Sequence, residues 1–304
     1  MTDSRTLPPS YKKHGQLLVM IAPCLLVLAV FCYLPMGGAV IAFKDYRMDL
    51  GIVKSPWCGL DNFVRLFDSE DFPNALRNTF VISVLRLSFG FVAPIILALL
   101  LNELRCNRLK KMIQTVTYLP YMFSWVVLGG ILLMLFSHRG PFNQALSLAG
   151  ISPIDFFGED LWFVILIIAT GIWQTIGYGA VIYLAALAGI DPQLYEVSTV
   201  DGAGRFQQLL HITLPSLVPT IVVLLILQLG QVMNAGFDQI YNMYNPIVYD
   251  VADIIDTYVL RRLQNMDFAL ATAAGLFKSV VGMVLIFGAN FFVNRISRGE
   301  QGVW

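Results

Sequence analysis

The segment DPQLYEVSTVDGAGRFQQLLHITLP, residues 191–215, is a polar interruption in a chain that otherwise consists largely of long apolar runs. It opens with an aspartate–proline pair, a favoured helix start in which aspartate caps the helix and proline takes its first position. Gly202 and Gly204 then let the backbone leave that helix, because glycine tolerates left-handed dihedral angles. A second short helix, apolar on one face, is predicted to end at Pro215. The segment is therefore predicted to form a helix, a glycine turn and a helix that lie along a membrane surface rather than across it.

Six apolar runs surround this segment, and each is close to or above the roughly 20 residues that a helix needs to cross a bilayer. They cover residues 17–43, 76–101, 113–136, 161–188, 217–237 and 268–293. Of the 304 residues, 57% are hydrophobic and 13% are charged, and the mean hydropathy is +0.69, which excludes a water-soluble protein. Because backbone groups find no water partners in lipid, runs of this length are predicted to be helical. We therefore predict an all-α integral membrane protein with six transmembrane helices.

Charged residues are distributed unevenly between the two sides of the predicted membrane domain. Taken together, the two tails and the loops after the second and fourth spans contain more basic than acidic residues, whereas acidic residues predominate in the other loops. A basic excess marks the cytoplasmic side. We therefore predict cytoplasmic tails at 1–16 and 295–304, a membrane domain at 17–294 and a cytoplasmic location for segment 191–215. The formal net charge of zero gives no indication of a nucleic-acid partner.

The polar segment resembles a known family. Glu196, followed after five intervening residues by Gly202-Ala203 and then by Ile212-x-Leu214-Pro215, closely resembles the EAA loop in the membrane subunits of binding-protein-dependent ABC importers. One departure follows the glutamate directly, where the two alanines of the family are Val197 and Ser198 in this chain. The resemblance implies the type I ABC importer permease fold, in which this loop forms a cytoplasmic coupling helix.

Further residues make the resemblance more specific. Tyr195-Glu196 and Asp201-Gly202-Ala203-Gly204 are similar to the carbohydrate-uptake group, the maltose-type and LplB-type oligosaccharide permeases. Arg77-Asn78-Thr79 at the second span and Tyr118-Leu119-Pro120 at the third extend the similarity over nearly the whole chain. The resemblance implies a multi-pass subunit of the bacterial plasma (inner) membrane that imports sugars, with oligosaccharides as the expected cargo.

In this family the loop is seated in a cleft of a cytoplasmic ATPase subunit, and the resemblance implies the same role here. The residues expected at that joint are Tyr195, Glu196, Val197, Ser198, Asp201, Gly202, Ala203, Gly204 and Arg205. Glu196 and Asp201 are expected to supply its charged contacts. A rigid helix plugged into a moving subunit transmits a displacement to the spans on either side. The alternative is an ordinary cytoplasmic turn, in which Gly202 merely ends a helix.

The chain has no nucleotide-binding loop of its own, because the pattern G-x-x-x-x-G-K-[ST] does not occur in it. We therefore predict that it is not an enzyme and that two cytoplasmic ABC ATPase subunits hydrolyse ATP, with Mg. A second permease subunit is expected to complete the pore, and an extracellular or periplasmic solute-binding protein to deliver the sugar. No cofactor is expected in this chain, and its four cysteines lack metal-ligand spacing, so no metal site is predicted.

Polar residues inside membrane spans are energetically costly and therefore indicate a pathway. The predicted substrate pathway consists of residues from the fourth and fifth spans, namely Gln174, Tyr178, Gln228, Gln231, Asn234 and Asp238. The last four are spaced to share about a third of the circumference of one helix. Amide and phenol groups hydrogen-bond sugar hydroxyls, and an aromatic face stacks on the apolar side of a sugar ring. In maltose-type relatives the sugar is held by the same two spans, so the resemblance implies this role for Tyr178, Gln228 and Gln231. The alternative for each residue is a hydrogen bond to the partner subunit.

Arg86 and Lys278 are the two charges deepest in the predicted spans. We expect each to pair with a carboxylate of the partner subunit or to extend towards a membrane interface.

Other functions stay open on the residues alone. An ion-driven secondary transporter needs no partner, but it usually has internal repeats and often intramembrane carboxylates. Only Asp238, near the outer end of a span, approaches such a carboxylate. An ABC permease for a non-sugar solute is a second alternative. An integral-membrane enzyme is a third, although the chain has no metal-binding or nucleophile constellation.

Overall fold

The computed structural model describes residues 15–296, so residues 1–14 and 297–304, which form most of the two predicted tails, lie outside the described residues. The described chain is helical apart from turns and an isolated antiparallel bridge between Lys44 and Trp57. Its first helix, α1 (Gly15–Leu28), is continued without a break by Ala29–Tyr33, Leu34–Met36 and Gly37–Phe43. The following helices are α2 (Gly51–Lys54), α3 (Asp61–Asp68), α4 (Asp71–Glu103), α5 (Asn107–Tyr118), α6 (Trp125–Phe136), α7 (Pro141–Leu148), α8 (Asp160–Ala188), α9 (Pro192–Val200), α10 (Arg205–Gln208), α11 (Leu214–Gly230), α12 (Phe237–Met243), α13 (Tyr249–Ala252), α14 (Ile255–Gln264) and α15 (Phe268–Ile296).

Within residues 15–296, six helical segments are long and apolar enough to cross a membrane, as the sequence predicts. They are Val19–Phe43, Asp71–Glu103, Trp125–Leu148, Asp160–Ala188, Arg205–Gly230 and Phe268–Gly288. None of the apolar window of the first segment is buried within the chain. Such a surface needs lipid or another subunit to cover it, because leaving apolar area in water costs about 25 cal/mol per Å².

The centre of the molecule is the long contact between α4 and α8. Towards one end of this contact, Ile82 of α4 packs with Phe163 and Ile167 of α8, and Phe163 and Ile167 are fully buried. Towards the other end, Ala98 and Ala180 belong to a second buried cluster. Small side chains on both helices allow this close approach, and the two helices together form the frame on which the polar residues are placed.

The third predicted span, 113–136, is divided in the structure. Residues up to Tyr118 belong to α5, a separate helix, and a 3₁₀ turn, Leu119–Met122, separates it from α6. Pro120 lies in that turn, and Phe123 after it is extended, with φ −92° and ψ 141°. A proline offers no N–H to continue a helix. The membrane-crossing segment therefore begins at Trp125, later than the sequence predicts.

The prediction that the second helix of segment 191–215 ends at Pro215 is wrong. Helix α10 passes without a break through a π-helical turn, Leu209–Thr213, into α11. In that turn the N–H of Leu214 donates to the carbonyl oxygen of Leu209, one residue further than in an α-helix. Such a wider turn accommodates the missing N–H of Pro215. The second arm of the segment is therefore the first part of the fifth membrane helix, and it does not lie as a separate helix along the membrane.

The fifth predicted span, 217–237, is also interrupted. Helix α11 ends at Gly230, a 3₁₀ turn follows, and Ala235 and Gly236 adopt left-handed conformations with φ of 46° and 80°. Helix α12 then starts at Phe237 as a separate helix. Consequently Gln228 and Asp238 do not share one helix, and the predicted single polar stripe does not exist.

Side chains of α4 fix the segment after α12 to the membrane helices. Asn78 is buried, and its Nδ2 donates to the carbonyl oxygens of Asp250 at 2.9 Å and Asp253 at 3.1 Å. The Asp253 carboxylate in turn forms an ion pair of 2.6 Å with Arg261 of α14. These contacts hold α13 and α14 as a cap over one end of the helix bundle.

Candidate functional site

The first arm of segment 191–215 ends as its glycine predicts. Asp191 caps α9, because its Oδ1 accepts from the N–H of Gln193 at 3.0 Å. At the other end Gly202 is left-handed, with φ 84°. The N–H of Gly202 donates to the Thr199 carbonyl at 3.1 Å and that of Ala203 to the Ser198 carbonyl at 2.9 Å. This pair of bonds is the Schellman arrangement that closes a helix at a glycine. The helix–turn–helix part of the prediction is confirmed, and we call residues 191–208 the elbow.

Gln208 braces the inside of the elbow. Its Nε2 lies 2.9 Å from Ser198 Oγ and 2.9 Å from Thr199 Oγ1, so α10 is tied back to α9. The hydroxyl of Tyr195 lies 3.0 Å from the Thr213 hydroxyl at the start of the fifth membrane helix. The elbow is therefore a rigid unit joined to that helix. Sequence reasoning missed Gln208 and Thr213, since neither their spacing nor their type distinguishes them from other polar loop residues.

An apolar surface remains uncovered on the elbow. Val200 is 88% exposed and Phe206 is 70% exposed, and Leu194 and Val197 are also exposed. Of the nine predicted coupling residues, the exposed ones are Glu196, Val197, Asp201, Gly202, Gly204 and Arg205, whereas Tyr195, Ser198 and Ala203 are half-buried. Arg205 also reaches Glu103 at the end of α4, with an N–O distance of 3.6 Å between two exposed groups. The exposed set is therefore accessible to another protein, whereas Tyr195 and Ser198 form hydrogen bonds within the segment that joins the elbow to the fifth membrane helix.

The six predicted pathway residues do not line one common cavity. Gln228 and Gln231 line a cavity of about 180 Å³ together with Ser83 and Arg86 of α4 and Thr175 of α8. We call it the central cavity.

The other four pathway residues lie away from the central cavity. Asn234 and Asp238 line a neighbouring cavity of about 560 Å³. Gln174 is buried and lines neither cavity. Tyr178 stacks on Tyr121, with ring centroids 4.2 Å apart and ring planes inclined by 6°. Sequence reasoning missed Ser83 and Thr175 because a hydroxyl in a span more often bonds its own helix.

Lys278 belongs to a polar network within this chain, so the expected pairing with the partner subunit or with a membrane interface is wrong. Its Nζ lies 2.6 Å from one carboxylate oxygen of Asp256 and 2.7 Å from the other. It also donates to Asn234 Oδ1 at 3.0 Å, and Asn234 Nδ2 donates to Gln231 Oε1. The ion pair thus orients Asn234, which in turn orients Gln231 at the edge of the central cavity.

Arg86 is likewise held within the chain rather than at a membrane interface. Its guanidinium lies against Gly171 and Gly236 and donates to Gln239 Oε1. Among residues 15–296 no carboxylate lies within ion-pair distance of it. The left-handed turn at Ala235 and Gly236 is what brings the fifth membrane helix up to this side chain.

Residues 90–300 match the family of binding-protein-dependent transport system inner membrane components. This chain belongs to that family. Among curated relatives of the permease, the protein LplB of Bacillus subtilis (strain 168) is 44% identical over 290 residues, which cover 94% of this chain and 91% of LplB. The polygalacturonan/rhamnogalacturonan transport system permease protein YteP of the same organism is 42% identical, covering 95% and 90% of the two chains.

A solved structure resembles the permease in fold. It is that of a bacterial ABC transporter involved in the import of the acidic polysaccharide alginate, and one of its chains is 40% identical, with a TM-score of 0.88. The match covers 94% of this permease and 97% of that chain. The predicted type I ABC importer fold and the predicted family are therefore confirmed. Membership of an importer family sets aside the alternatives of an ion-driven secondary transporter and a membrane enzyme.

Proposed function

We propose that this permease imports oligosaccharides and that ATPase subunits drive it by docking on the elbow. The observation that carries the proposal is the elbow itself, which is rigid, apolar on its exposed side and continuous with the fifth membrane helix. A displacement applied to α9 passes through the braced turn directly into α11, because no flexible joint separates them. A rigid-body motion of this kind is a common way for one subunit to move another.

The orientation of the permease in the membrane follows from the same proposal. ATPase subunits are cytoplasmic, so the elbow faces the cytoplasm, and with six spans both termini lie on that side. The domain bounds are then 1–16 for the first tail, 17–294 for the membrane domain and 295–304 for the last tail. ATP and Mg bind to the two ATPase subunits. The exposed apolar surfaces of the membrane helices are covered by lipid and by a second permease subunit, and a solute-binding protein presents the cargo on the outer side.

A sugar cargo is supported by the chemistry of the central cavity and by the relatives. The amides of Gln228 and Gln231 both donate to and accept from sugar hydroxyls. The hydroxyls of Ser83 and Thr175 donate to the backbone carbonyls of Val232 and Gly171, so their oxygens are left to accept from the sugar. Relatives that are similar over nearly their whole length are named for polygalacturonan, rhamnogalacturonan or alginate transport. Within the predicted pathway we assign Gln228 and Gln231 to direct contact with the sugar and Asn234 to their support. Tyr178, together with Tyr121, offers a stacking surface, and Gln174 lies away from the path.

Uptake by the complete complex tests this proposal. The permease, its partner permease and the ATPases are reconstituted in proteoliposomes with the solute-binding protein, and uptake of oligosaccharides is measured with and without ATP. We expect uptake only with ATP, and we expect Gln231→Ala to lower it about tenfold, because one hydrogen bond is worth about 1 kcal/mol and its loss leaves neighbouring polar groups unpaired. Gln174→Ala is the matched control and is expected to stay within about threefold of the wild-type rate. Uptake driven by an ion gradient, or equal rates for the two variants, would contradict the proposal.

A further inference from the structure

Arg86 is a charged side chain without a matching charge. A guanidinium carries five N–H donors and no acceptor. In the part of the chain that the structure describes, the acceptor it reaches is Gln239 Oε1, and its Nε is buried without any acceptor. Lys278, which also lies deep in a span, is paired with the carboxylate of Asp256. Charged groups inside a membrane are costly and are usually paired, so the lack of a counter-ion at Arg86 calls for a chemical reason.

Gln239 holds Arg86 in one orientation. The amide of Gln239 is fully buried, and its Nε2 donates to the Ile167 carbonyl at 2.9 Å and to Thr170 Oγ1 at 2.7 Å. Because both N–H bonds go to α8, the amide oxygen is left to face Arg86. A neutral acceptor of this kind fixes the guanidinium without neutralising it, and the positive charge is kept available.

Two glycines make room for the guanidinium. A methyl group on Gly171 would come within 3.1 Å of Arg86 Nη2, and one on Gly236 would overlap the guanidinium itself. Gly236 is also left-handed, with φ 80°, which disfavours any other residue there. The backbone around Arg86 is thus shaped to hold this side chain at the wall of the central cavity.

From this arrangement we infer that the central cavity binds the carboxylate of an acidic sugar residue and that Arg86 is its counter-ion. Arg86 lines the cavity beside Ser83, Thr175, Gln228 and Gln231. A guanidinium matches a carboxylate with two parallel hydrogen bonds, while the surrounding hydroxyls and amides match the hydroxyls of the same sugar ring. A carboxylate from a protein side chain would pair with Arg86 but would not account for the neutral polar groups around it. The inference rests on the proposed import of oligosaccharides and narrows their class to uronic-acid-containing ones.

Uptake of a matched pair of sugars tests the inference. The complete complex in proteoliposomes is supplied with trigalacturonate and with galactotriose, which differ in the carboxylate at C6. We expect Arg86→Gln to lower trigalacturonate uptake at least tenfold while the binding protein still stimulates ATP hydrolysis. Arg77→Gln, which removes an arginine from the same helix but outside the cavity, is the control and is expected to stay within about twofold of wild type. Gln239→Glu keeps the side-chain shape and places a carboxylate of the protein next to Arg86. Because Arg86 is then already paired, we expect this variant to lower trigalacturonate uptake as strongly as Arg86→Gln does, although the guanidinium is still present.

The outcomes separate this inference from the proposed function. Trigalacturonate uptake that is unchanged in Arg86→Gln overturns the inference. If Arg86→Gln does not assemble, normal trigalacturonate uptake by Gln239→Glu overturns it instead. Wild-type uptake of galactotriose but not of trigalacturonate also overturns it, although the proposed import of oligosaccharides then stands. Failure of the wild-type complex to transport any oligosaccharide contradicts the proposed function itself.

Discussion

Replacing Gly202 by valine is expected to lower ATP-driven uptake at least tenfold. Gly202 has φ 84° and supplies the turn that ends α9. A β-branched residue held in this conformation costs about 1–3 kcal/mol, so the turn relaxes and the two bonds that close it are lost. Gln208 then no longer meets Ser198 and Thr199. The elbow loses its fixed angle, and motion of the ATPase is no longer passed to the fifth membrane helix.

A second glycine provides the control for this substitution. Gly150 follows α7, has φ 77° and, like Gly202, has open space around the position of a side chain. Gly150→Val therefore imposes the same backbone strain at another helix end. We expect the Gly150 variant to keep at least half of the wild-type uptake. Both variants are to be compared at equal amounts of assembled complex, and full uptake by Gly202→Val would count against the coupling role of the elbow.

Replacing Lys278 by methionine is expected to destabilise the permease by about 3 kcal/mol, because removing one member of a buried ion pair leaves the other charge uncompensated. The two side chains of the pair are 17% and 25% exposed, so little water is available to replace the lysine. Such a loss corresponds to a fall of roughly 5–10 °C in the melting temperature of the purified protein. Uptake is expected to fall as well, since Asn234 and Gln231 lose the group that orients them.

An exposed ion pair and a double variant complete this test. Arg47 and Asp49 lie 3.7 Å apart with both side chains more than half exposed, and exposed pairs contribute about 0–1 kcal/mol. Arg47→Met is therefore expected to shift the melting temperature by no more than about 2 °C. Lys278→Met combined with Asp256→Leu removes both charges and is expected to recover most of the lost stability. Equal melting temperatures for Lys278→Met and wild type would show that the pair does not stabilise the fold.

The six spans and the two ends of α9 were predictable because neighbouring residues in the chain determine them. A run of about 20 apolar residues has few alternatives to a membrane helix. Similarly, Asp191 before Pro192 and a glycine ten residues after that proline are start and stop signals of one short helix. The membrane helices and α9 depend on residues that are close together in the chain, and the sequence shows these residues directly.

The interruption at Ala235 was not predictable in the same way. Residues 217–237 have neither a proline nor a charge at the position where the helix ends, and hydrophobic periodicity continues through it. What fixes the turn is tertiary contact: Ser83 donates to the Val232 carbonyl, and Arg86 lies against Gly236. The two members of each pair are separated by about 150 residues, so a local sequence pattern does not reveal the contact between them. The composition of the central cavity was missed for the same reason.

The wrong prediction at the start of α11 came from a proline. Pro215 is a sound stop signal in an α-helix, because it removes a hydrogen bond and its ring clashes with the preceding turn. The π-helical turn just before it relieves both problems. Since single π turns have no recognised residue pattern, the continuity between the elbow and the fifth membrane helix is visible only in the structure.

Cross-linking from the elbow tests the central claim most directly. Val200 is 88% exposed on α9, so a cysteine placed there, with the four native cysteines replaced by serine, offers a thiol to any protein that docks. In the assembled complex we expect Val200→Cys to cross-link to an ATPase subunit, to change its cross-linking yield when ATP is added, and to resist a membrane-impermeant thiol reagent applied from outside the cell. Labelling of that cysteine from outside the cell, or an assembled complex without cross-links to the ATPase, would contradict the account.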